Sequence, residues 1–561
     1  MKSLPWRLRR SIPPGEPWQR LREEWGLSAE AARLFWLRGV ETPEEAAWRL
    51  DPSWERLLDP YLMSGMAPAV ARIRLAIERS EPICVYGDYD VDGVTATALL
   101  VRVLERLGAQ VSFFIPNRFN DGYGLSMPCI REHASNMQRG AGLGLMISVD
   151  CGIRSVQEVA DSRELGLEWV ITDHHTLGPE CPDACAVVHP RLGENPNPHL
   201  AGVGVAFKLA QALLDAAPVP RGTDRAFLDG LLKLVAIGSI ADVVPLVGEN
   251  AALVKRGLQA LGTTNGPGLV ELFRIGKIES VPGAQALAFN VCPRLNAVGR
   301  MGGAEDAVRL LLCRDPEEAK ALAERVEQLN AERRTIQQDL LNQLAEPDGA
   351  AFDLVVEPSA NKGVIGIVAG RRMQEHGRPV AVCTQIDGVV QCSLRAPEGY
   401  DLGVLLEAAR PFLITGGGHR TAAGMSFLPA RTSFVRETLI RGAQQQAQGI
   451  ERPAFLLDGE RPEDVPDAGT LARLEPFGQG FPPPQIRLSG SLASAPAPFG
   501  KGHCRLKLTG CAAELTWFTA DPAIAALPAG ADLDVVIAPQ DHPRWGRSWI
   551  VDGRISPGGQ A

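Results

Sequence analysis

The chain has 561 residues, 45% of them apolar and 22% charged, and its 57 basic and 66 acidic side chains leave a net charge of −9. Length divided by about 150 predicts three or four domains, and the composition excludes a disordered chain or a fibre. No run of eighteen apolar residues occurs, which excludes a conventional membrane span; the net acidity excludes a protein that coats nucleic acid by bulk positive charge, though not one with a local basic channel.

The opening MKSLPWRLRR is basic but no apolar core follows it, so no secretory signal and a cytoplasmic location are expected. Residues 1–80 are rich in tryptophan (Trp6, Trp18, Trp25, Trp36, Trp48, Trp54) and read as an extension of short helices, broken at Gly39 and Pro43. From 81 to about 310 the pattern alternates. PICVYG, VSFFIP, LGLMISV and LEWVIT are short apolar runs; TATALLVRVLERLG and SVQEVADSRELG between them are helical. Such alternation predicts βαβ units and a mostly parallel sheet, with ligands beyond the carboxyl ends of the strands.

Within a connecting segment 311–347, residues 315–345 predict one long helix of about 45 Å at 1.5 Å per residue. Asp315 is its expected N-cap, Pro316 its first residue, and Glu318 completes a capping box. Leu322, Val326, Leu329, Ile336, Leu340 and Leu344 recur at helical spacing beneath charged faces, as in a helix bridging two domains; a dimer seam is the lesser alternative. A second α/β unit is expected over 348–448, with PVAVCTQI and GVVQCSLRA as strands and RTSFVRETLIRGAQQQAQG as its closing helix. Over 449–561, QIRLSGSLASA, HCRLKLTG, AAELTWFTA, LDVVIAPQ and SWIVDGRIS are short strands between turns and predict a small β-barrel. The 11 cysteines are scattered, with Cys181 and Cys185 the nearest pair; reduced, mostly buried thiols are expected rather than a disulfide framework or zinc ribbon.

The chemical signal is acidic. In ICVYGDYDVDGVTATALL, Asp88, Asp90 and Asp92 follow an apolar strand and precede a helix. Carboxylates so close repel one another, and divalent cations would neutralise them. The same spacing opens an EF-hand, but its twelfth position, which needs glutamate, is Leu99 here. Asp150 in LMISVDCG, Asp173, His174 and His175 in WVITDHHTLG, and Asp242 in AIGSIADVVPL each follow another apolar stretch. A single acid there is usually a helix cap; several from different strands converge on one sheet edge. Oxygen ligands with one or two imidazoles suit Mn²⁺ best and Mg²⁺ next, and two such ions favour displacement at phosphorus. The residues alone thus predict a two-metal phosphoesterase.

GDYDVDG, SVDCG, TDHH and ADVVPL, in that order, resemble the motifs of the DHH phosphoesterase superfamily, and GGGHRTAAG resembles the glycine-rich motif of the DHH-associated domain. IPNRFNDGYGL, LAGVGVAFKLA, CPRLNAVGRMGGA, GVIGIVAGR, SLRAPEGYDL and LEPFGQGFPPP narrow the resemblance to the RecJ family of single-strand-specific exonucleases, over residues 80–490. It implies that Asp90, Asp92, Asp150, His174 and Asp242 hold two divalent cations, with Asp150 bridging. Asp88 would be a ligand or its partner, His175 an acid or transition-state stabiliser beside the phosphate, and Asp173 the group that orients an imidazole.

The resemblance also implies that Arg118, Ser393 and Arg395 bind the 5′ phosphate, that Gly417, Gly418 and His419 add donors, and that Arg294, Asn296 and Arg300 contact the nucleic-acid backbone or clamp their own loop. The last module would be an OB-fold, with Lys501, Arg505, Lys507, Trp517, Phe518 and Trp545 as candidate contacts; Trp517 and Phe518 read equally well as core. The chain departs from the family pattern at Asn361, Lys362, Ala396 and Phe481. The implied function is a metal-dependent 5′→3′ exonuclease on single-stranded DNA in repair and recombination, working as a monomer with a helicase and a single-strand-binding protein. The alternatives are a phosphodiesterase of short oligonucleotides or cyclic dinucleotides and a non-catalytic scaffold.

Overall fold

A computed structural model describes residues 5–555 apart from 118–123, 138–143, 217–220, 265, 280, 451–453, 462–463, 501, 512–513, 519 and 543–545. The first α/β unit is built on a five-stranded, all-parallel sheet in the order Val111–Phe114, Ile83–Gly87, Gly144–Val149, Leu167–Thr172, Ala186–Val188. Ile83–Gly87 and Gly144–Val149 are buried along their whole length, which is why they read as unbroken apolar runs. The register pairs Gly87 with Val149, Val149 with Thr172, and Thr172 with Val188. The residues that follow (Asp88, Asp150, Asp173 and His189) therefore leave the sheet along one edge. Helices Val91–Arg106, Gly202–Asp215 and Arg221–Ala241 supply much of the core on one face.

The long helix runs Pro316–Gln343. Val326 and Leu329 belong to the core of the first unit and Leu340 to a cluster with Val364, Ile365 and Val380 of the second. Asp315 accepts from the Glu318 amide as expected; the Glu318 carboxylate, however, pairs with Arg309 at 3.2 Å.

The second unit has the sheet order Thr415–Gly418, Ala422–Phe427, Val389–Arg395, Val380–Ile386, Asp353–Val356, and the pairing is antiparallel except between the last two. Its closing helix is Thr432–Ala447. Cys383 and Cys392 face each other across an antiparallel pair, with α-carbons 4.0 Å apart, and form a disulfide. The expectation of reduced thiols thus fails at this pair, because strand register, invisible to cysteine spacing, brings the two together.

The helices of the N-terminal region share one core with a distant segment: Trp18, Leu21, Phe35 and Trp36 pack with Leu474 and Phe481. Strand Trp6–Leu8 also pairs in parallel with Phe455–Leu457. The last module is a six-stranded sheet in the order Ile486–Ser491, Asp532–His542, Gly546–Ile555, Leu515–Trp517, His503–Leu506, Ala497–Phe499. That strand order is open. Outside that strand order, Thr509 N–H donates to the Ser491 carbonyl and Ala493 N–H to the Lys507 carbonyl, each at 2.8 Å. Trp517 lies in the core of this module, 9% exposed, so the core reading of that side chain holds.

Candidate active site

Three overlapping sets of potential ligand atoms, each within 4.8 Å, meet at the carboxyl edge of the parallel sheet: Asp88, Asp90 and Asp150; Asp150, His174 and His175; Asp92, His174 and Asp242. His174 Nε2 lies 3.1 Å from Asp150 Oδ1 and 3.7 Å from oxygens of both Asp92 and Asp242. Sheet register accounts for Asp88, Asp150 and the histidines. Asp242 arrives differently: it ends helix Arg221–Ala241 rather than a strand.

The backbone is bent to make this convergence. Asp150 has φ +63° and Val243 φ +58°, left-handed conformations that cost about 1–3 kcal/mol each in non-glycine residues. Gly202 lies so close to Asp150 that a Cβ there would come within 2.6 Å of its carboxylate. The amides of Gly202 and Val203 donate to the two oxygens of Asp92, at 2.6 and 2.8 Å. Asp92 is thereby oriented by the start of another helix, and the LAGVGVAFKLA segment acquires a physical role that its sequence did not disclose. Asp90 caps its own helix by accepting from the amides of Asp92 and Gly93.

Electrostatics divides these groups. Burial first, then the charges of Asp242 and Asp90, raises Asp92 well above the usual carboxylate range. Burial and the carboxylates of Asp92, Asp90, Asp88 and Asp242 do the same to Asp150. Asp242 is raised to about 7 by burial and Asp90. His174 is lowered to about 3 by burial and the neighbouring His175 charge, which keeps its ring neutral. Burial works against a charged His175, yet the hydrogen bond and charge of Asp173 outweigh it and raise that ring to about 9. Asp173 correspondingly falls to about 2 despite its burial.

Asp173 is the orienting group. It accepts from the amides of His174 and His175, from His175 Nδ1 at 2.8 Å and from the Ile153 amide. The sequence reading missed His189, which follows strand Ala186–Val188. It is fully buried, accepts from the Arg191 amide through Nδ1 and donates through Nε2 to the His175 carbonyl. The logic that found His174, a polar residue at the end of a buried strand, applies equally to VVHP.

A pair of divalent cations fits these residues. Asp150 Oδ1 and His174 Nε2 are buried, point at each other and have no hydrogen-bond partner among the described residues. A neutral imidazole and several crowded carboxylates are the donor set of Mn²⁺ or Mg²⁺, and a cation removes the repulsion that otherwise holds protons on Asp92, Asp150 and Asp242.

The His419 imidazole of the second unit is lowered by burial and by the charges of His175, Arg154 and Arg191 of the first. Gly417, Gly418 and His419 are exposed. Arg395 donates to Ser393 Oγ at 3.3 Å, and both lie against Gly366 at the start of helix Ile365–His376. Arg118 lies outside the described residues, as do Lys501 and Trp545.

The CPRLNAVGR residues make internal contacts. Arg294 pairs with Glu327 of the long helix at 2.6 Å, Asn296 accepts from the Val91 amide, and Arg300 donates to the Gly363 carbonyl. These bonds favour the clamping role over direct contact with nucleic acid. In the last module, Phe518 meets the rings of His503 and Trp549, and Arg505 lies over Phe499.

Comparison with known proteins agrees with this geometry. Residues 82–239 match the DHH family, N-terminal domain, and residues 349–440 match the DHHA1 domain. The single-stranded-DNA-specific exonuclease RecJ of Bacillus subtilis is 36% identical over 90% of this chain, which spans 64% of that protein's length. The Thermus thermophilus RecJ is 35% identical over 92% of this chain and 73% of its own length. The crystal structure of RecJ in complex with Mn²⁺ from Thermus thermophilus superposes with a TM-score of 0.83 at 31% identity, covering 99% of this chain and 80% of that one. The motifs, the fold and the relatives point one way, and the chain belongs to the RecJ family of single-stranded-DNA-specific exonucleases.

Proposed function

We propose that this chain is a divalent-cation-dependent exonuclease that degrades single-stranded DNA from its 5′ end to 5′ mononucleotides, in DNA repair and recombination. The observation that carries this reading is the convergence of Asp88, Asp90, Asp92, Asp150, His174, His175 and Asp242, from separate segments, into three overlapping ligand sets. Asp90, Asp92, Asp150, His174 and Asp242 would hold two divalent cations. Bound there, Mn²⁺ or Mg²⁺ would supply charge neutralisation at the scissile phosphate and a more acidic water.

The chain's own residues do the rest. Ser393, Arg395 and the N-terminal amides of helix Ile365–His376 grip the terminal 5′ phosphate, as planar guanidinium groups and helix starts are suited to do. Gly417, Gly418 and His419 add donors from the neighbouring hairpin, and a phosphate-binding role for Arg118 rests on the sequence resemblance alone. With that end fixed, the next phosphodiester is held over the carboxylates, and proximity supplies part of the rate. Water attacks phosphorus and gives up a proton to solvent, the P–O3′ bond breaks, and the departing 3′ oxygen of the terminal nucleotide takes up a proton from solvent, so the shortened strand keeps a 5′ phosphate. His175, kept charged by Asp173, donates to the phosphate as negative charge develops. Arg294, Asn296 and Arg300 act indirectly, by holding the loop between the two units.

In this reading the last module is an OB-fold whose Arg505, Lys507 and Phe518 line a path for the incoming strand. The bonds that draw residues 491–493 towards 507–509 support that reading. The enzyme works in the cytoplasm as a monomer, on strands opened by a helicase and coated by a single-strand-binding protein. The test is a product-length assay on end-labelled oligonucleotides with and without a 5′ phosphate, with Mn²⁺ or Mg²⁺. Mononucleotides released from the 5′ end of single strands are expected. Equal degradation of blunt duplex, or release from the 3′ end, overturns the reading.

A further inference from the structure

Arg49, in helix Pro43–Leu50, is 2% exposed. Its guanidinium lies 3.5 Å over the Phe481 ring and donates to three main-chain carbonyls: Leu474 at 3.0 Å, Pro476 at 2.7 Å, and Leu246. Among the described residues no carboxylate pairs with it. Burying a guanidinium without a counter-charge is costly, and each of its bonds here goes to backbone that must stay in place.

Leu246 belongs to the ADVVPL segment, four residues after Asp242. Between them, Val243 is 62% exposed and left-handed, a conformation that a β-branched residue keeps only when its surroundings enforce it. The enforcement comes from behind. Leu246 N–H donates to the Gln479 carbonyl at 2.8 Å, and Asn250 Nδ2 to the Pro245 carbonyl at 3.1 Å. Gly478 and Gly480 let the 478–480 backbone lie against Leu246, Pro245 and Val247, where a Cβ would come within 2.7 and 3.3 Å. Lys255 donates to the Ala472 and Arg473 carbonyls at the end of helix Ala468–Leu474, so a second cation holds the backbone just before the segment that Arg49 grips. Phe481 supplies the ring on which Arg49 rests.

We propose that Arg49 is a positioning residue for the metal centre: by tying Leu246 to the Leu474–Pro476 backbone it fixes the Asp242 carboxylate, and the N-terminal helical region thereby sets the affinity of the ion that Asp242 holds. This rests on the reading of Asp242 as a metal ligand. Residues that orient metal ligands typically contribute about 10–100-fold to metal affinity.

The test measures Mn²⁺ binding to the full chain by the electron paramagnetic resonance signal of free Mn²⁺, together with thermal melts, and needs no turnover. Arg49→Met is expected to weaken one Mn²⁺ about tenfold or more. Arg49→Lys, which keeps the charge and can reach some of the carbonyls, is expected to fall between it and the parent, and it carries the test if Arg49→Met does not fold. Combining Arg49→Met with Asp242→Asn should add no loss beyond Asp242→Asn alone. Arg372→Met, which removes an equally buried arginine from Asp353 in the second unit, should lower the melting temperature and leave Mn²⁺ affinity unchanged. Parental affinity in both Arg49 variants, or an equal loss in Arg372→Met, overturns the proposal while the ligand reading stands. Parental affinity in Asp242→Asn overturns the ligand reading and the proposal with it.

Discussion

The two α/β units carry their candidate site residues on opposite terms. The first buries its polar groups: Asp88, Asp92, Asp150 and Asp173 are each at most 3% exposed, and Asp150 is left-handed. The second leaves its candidate phosphate-binding groups more open, with an exposed glycine strand and an arginine beside the start of a helix. One unit concentrates charge that only a cation relieves; the other presents neutral amides and one fixed positive fork. Reaction chemistry demands strain and desolvation, whereas holding a strand end demands only donors aimed at the right point.

Substitutions on the two sides should therefore fail in different ways. The largest effect is expected for Asp150→Asn, chosen because asparagine tolerates the left-handed backbone. Nuclease activity should fall by more than about a thousandfold, while the metal-free protein melts no lower than the parent, since a repelling charge has been removed. A lower metal-free melting temperature would break the comparison, by showing that the carboxylate contributes to the fold rather than opposing it. On the other side, Arg395→Lys replaces the fork with a point charge. KM for 5′-phosphorylated single strands should rise about tenfold to a hundredfold, the value of a charge-assisted hydrogen bond, with kcat and Mn²⁺ affinity retained. A fall in kcat alone would move Arg395 into the chemistry.

The smallest effect sharpens the contrast through pH. The folded protein keeps protons on Asp242, raised to about 7, and on Asp92 and Asp150, which the unfolded chain releases near pH 4. These groups favour the metal-free fold at low pH and stop doing so as pH climbs through their folded values. His175, raised to about 9, acts in the same direction above pH 6.5, while His174, lowered to about 3, opposes them only below it. Mn²⁺ should therefore raise the melting temperature by a few degrees more at pH 8 than at pH 6. An equal rise at both pH values would mean that the cation does not bind through these carboxylates.

Much of the first unit was legible because strand-end acids announce themselves: Asp88, Asp90, Asp92, Asp150 and Asp173 lie at the carboxyl edge, as their apolar runs implied. Asp242 was found for a reason that does not hold. AIGSIAD is apolar enough to pass for a strand, and periodicity cannot separate a short buried strand from the end of a buried helix. The amides that hold Asp92 come from Gly202 and Val203, more than a hundred positions away, and no local pattern encodes that approach. The Cys383–Cys392 link depends on register, and the clamping bonds of Arg294 and Asn296 depend on packing; both exist only once the elements have assembled.

The core that joins Trp18, Phe35 and Trp36 to Leu474 and Phe481 has a consequence for how the molecule comes into being. On the ribosome, the first helices emerge long before the segment that covers them, and they cannot close their apolar face until nearly the whole chain has been translated. The brace behind Asp242 is thus among the last parts to assemble, so a truncated polypeptide carries every acidic motif without the support behind Asp242.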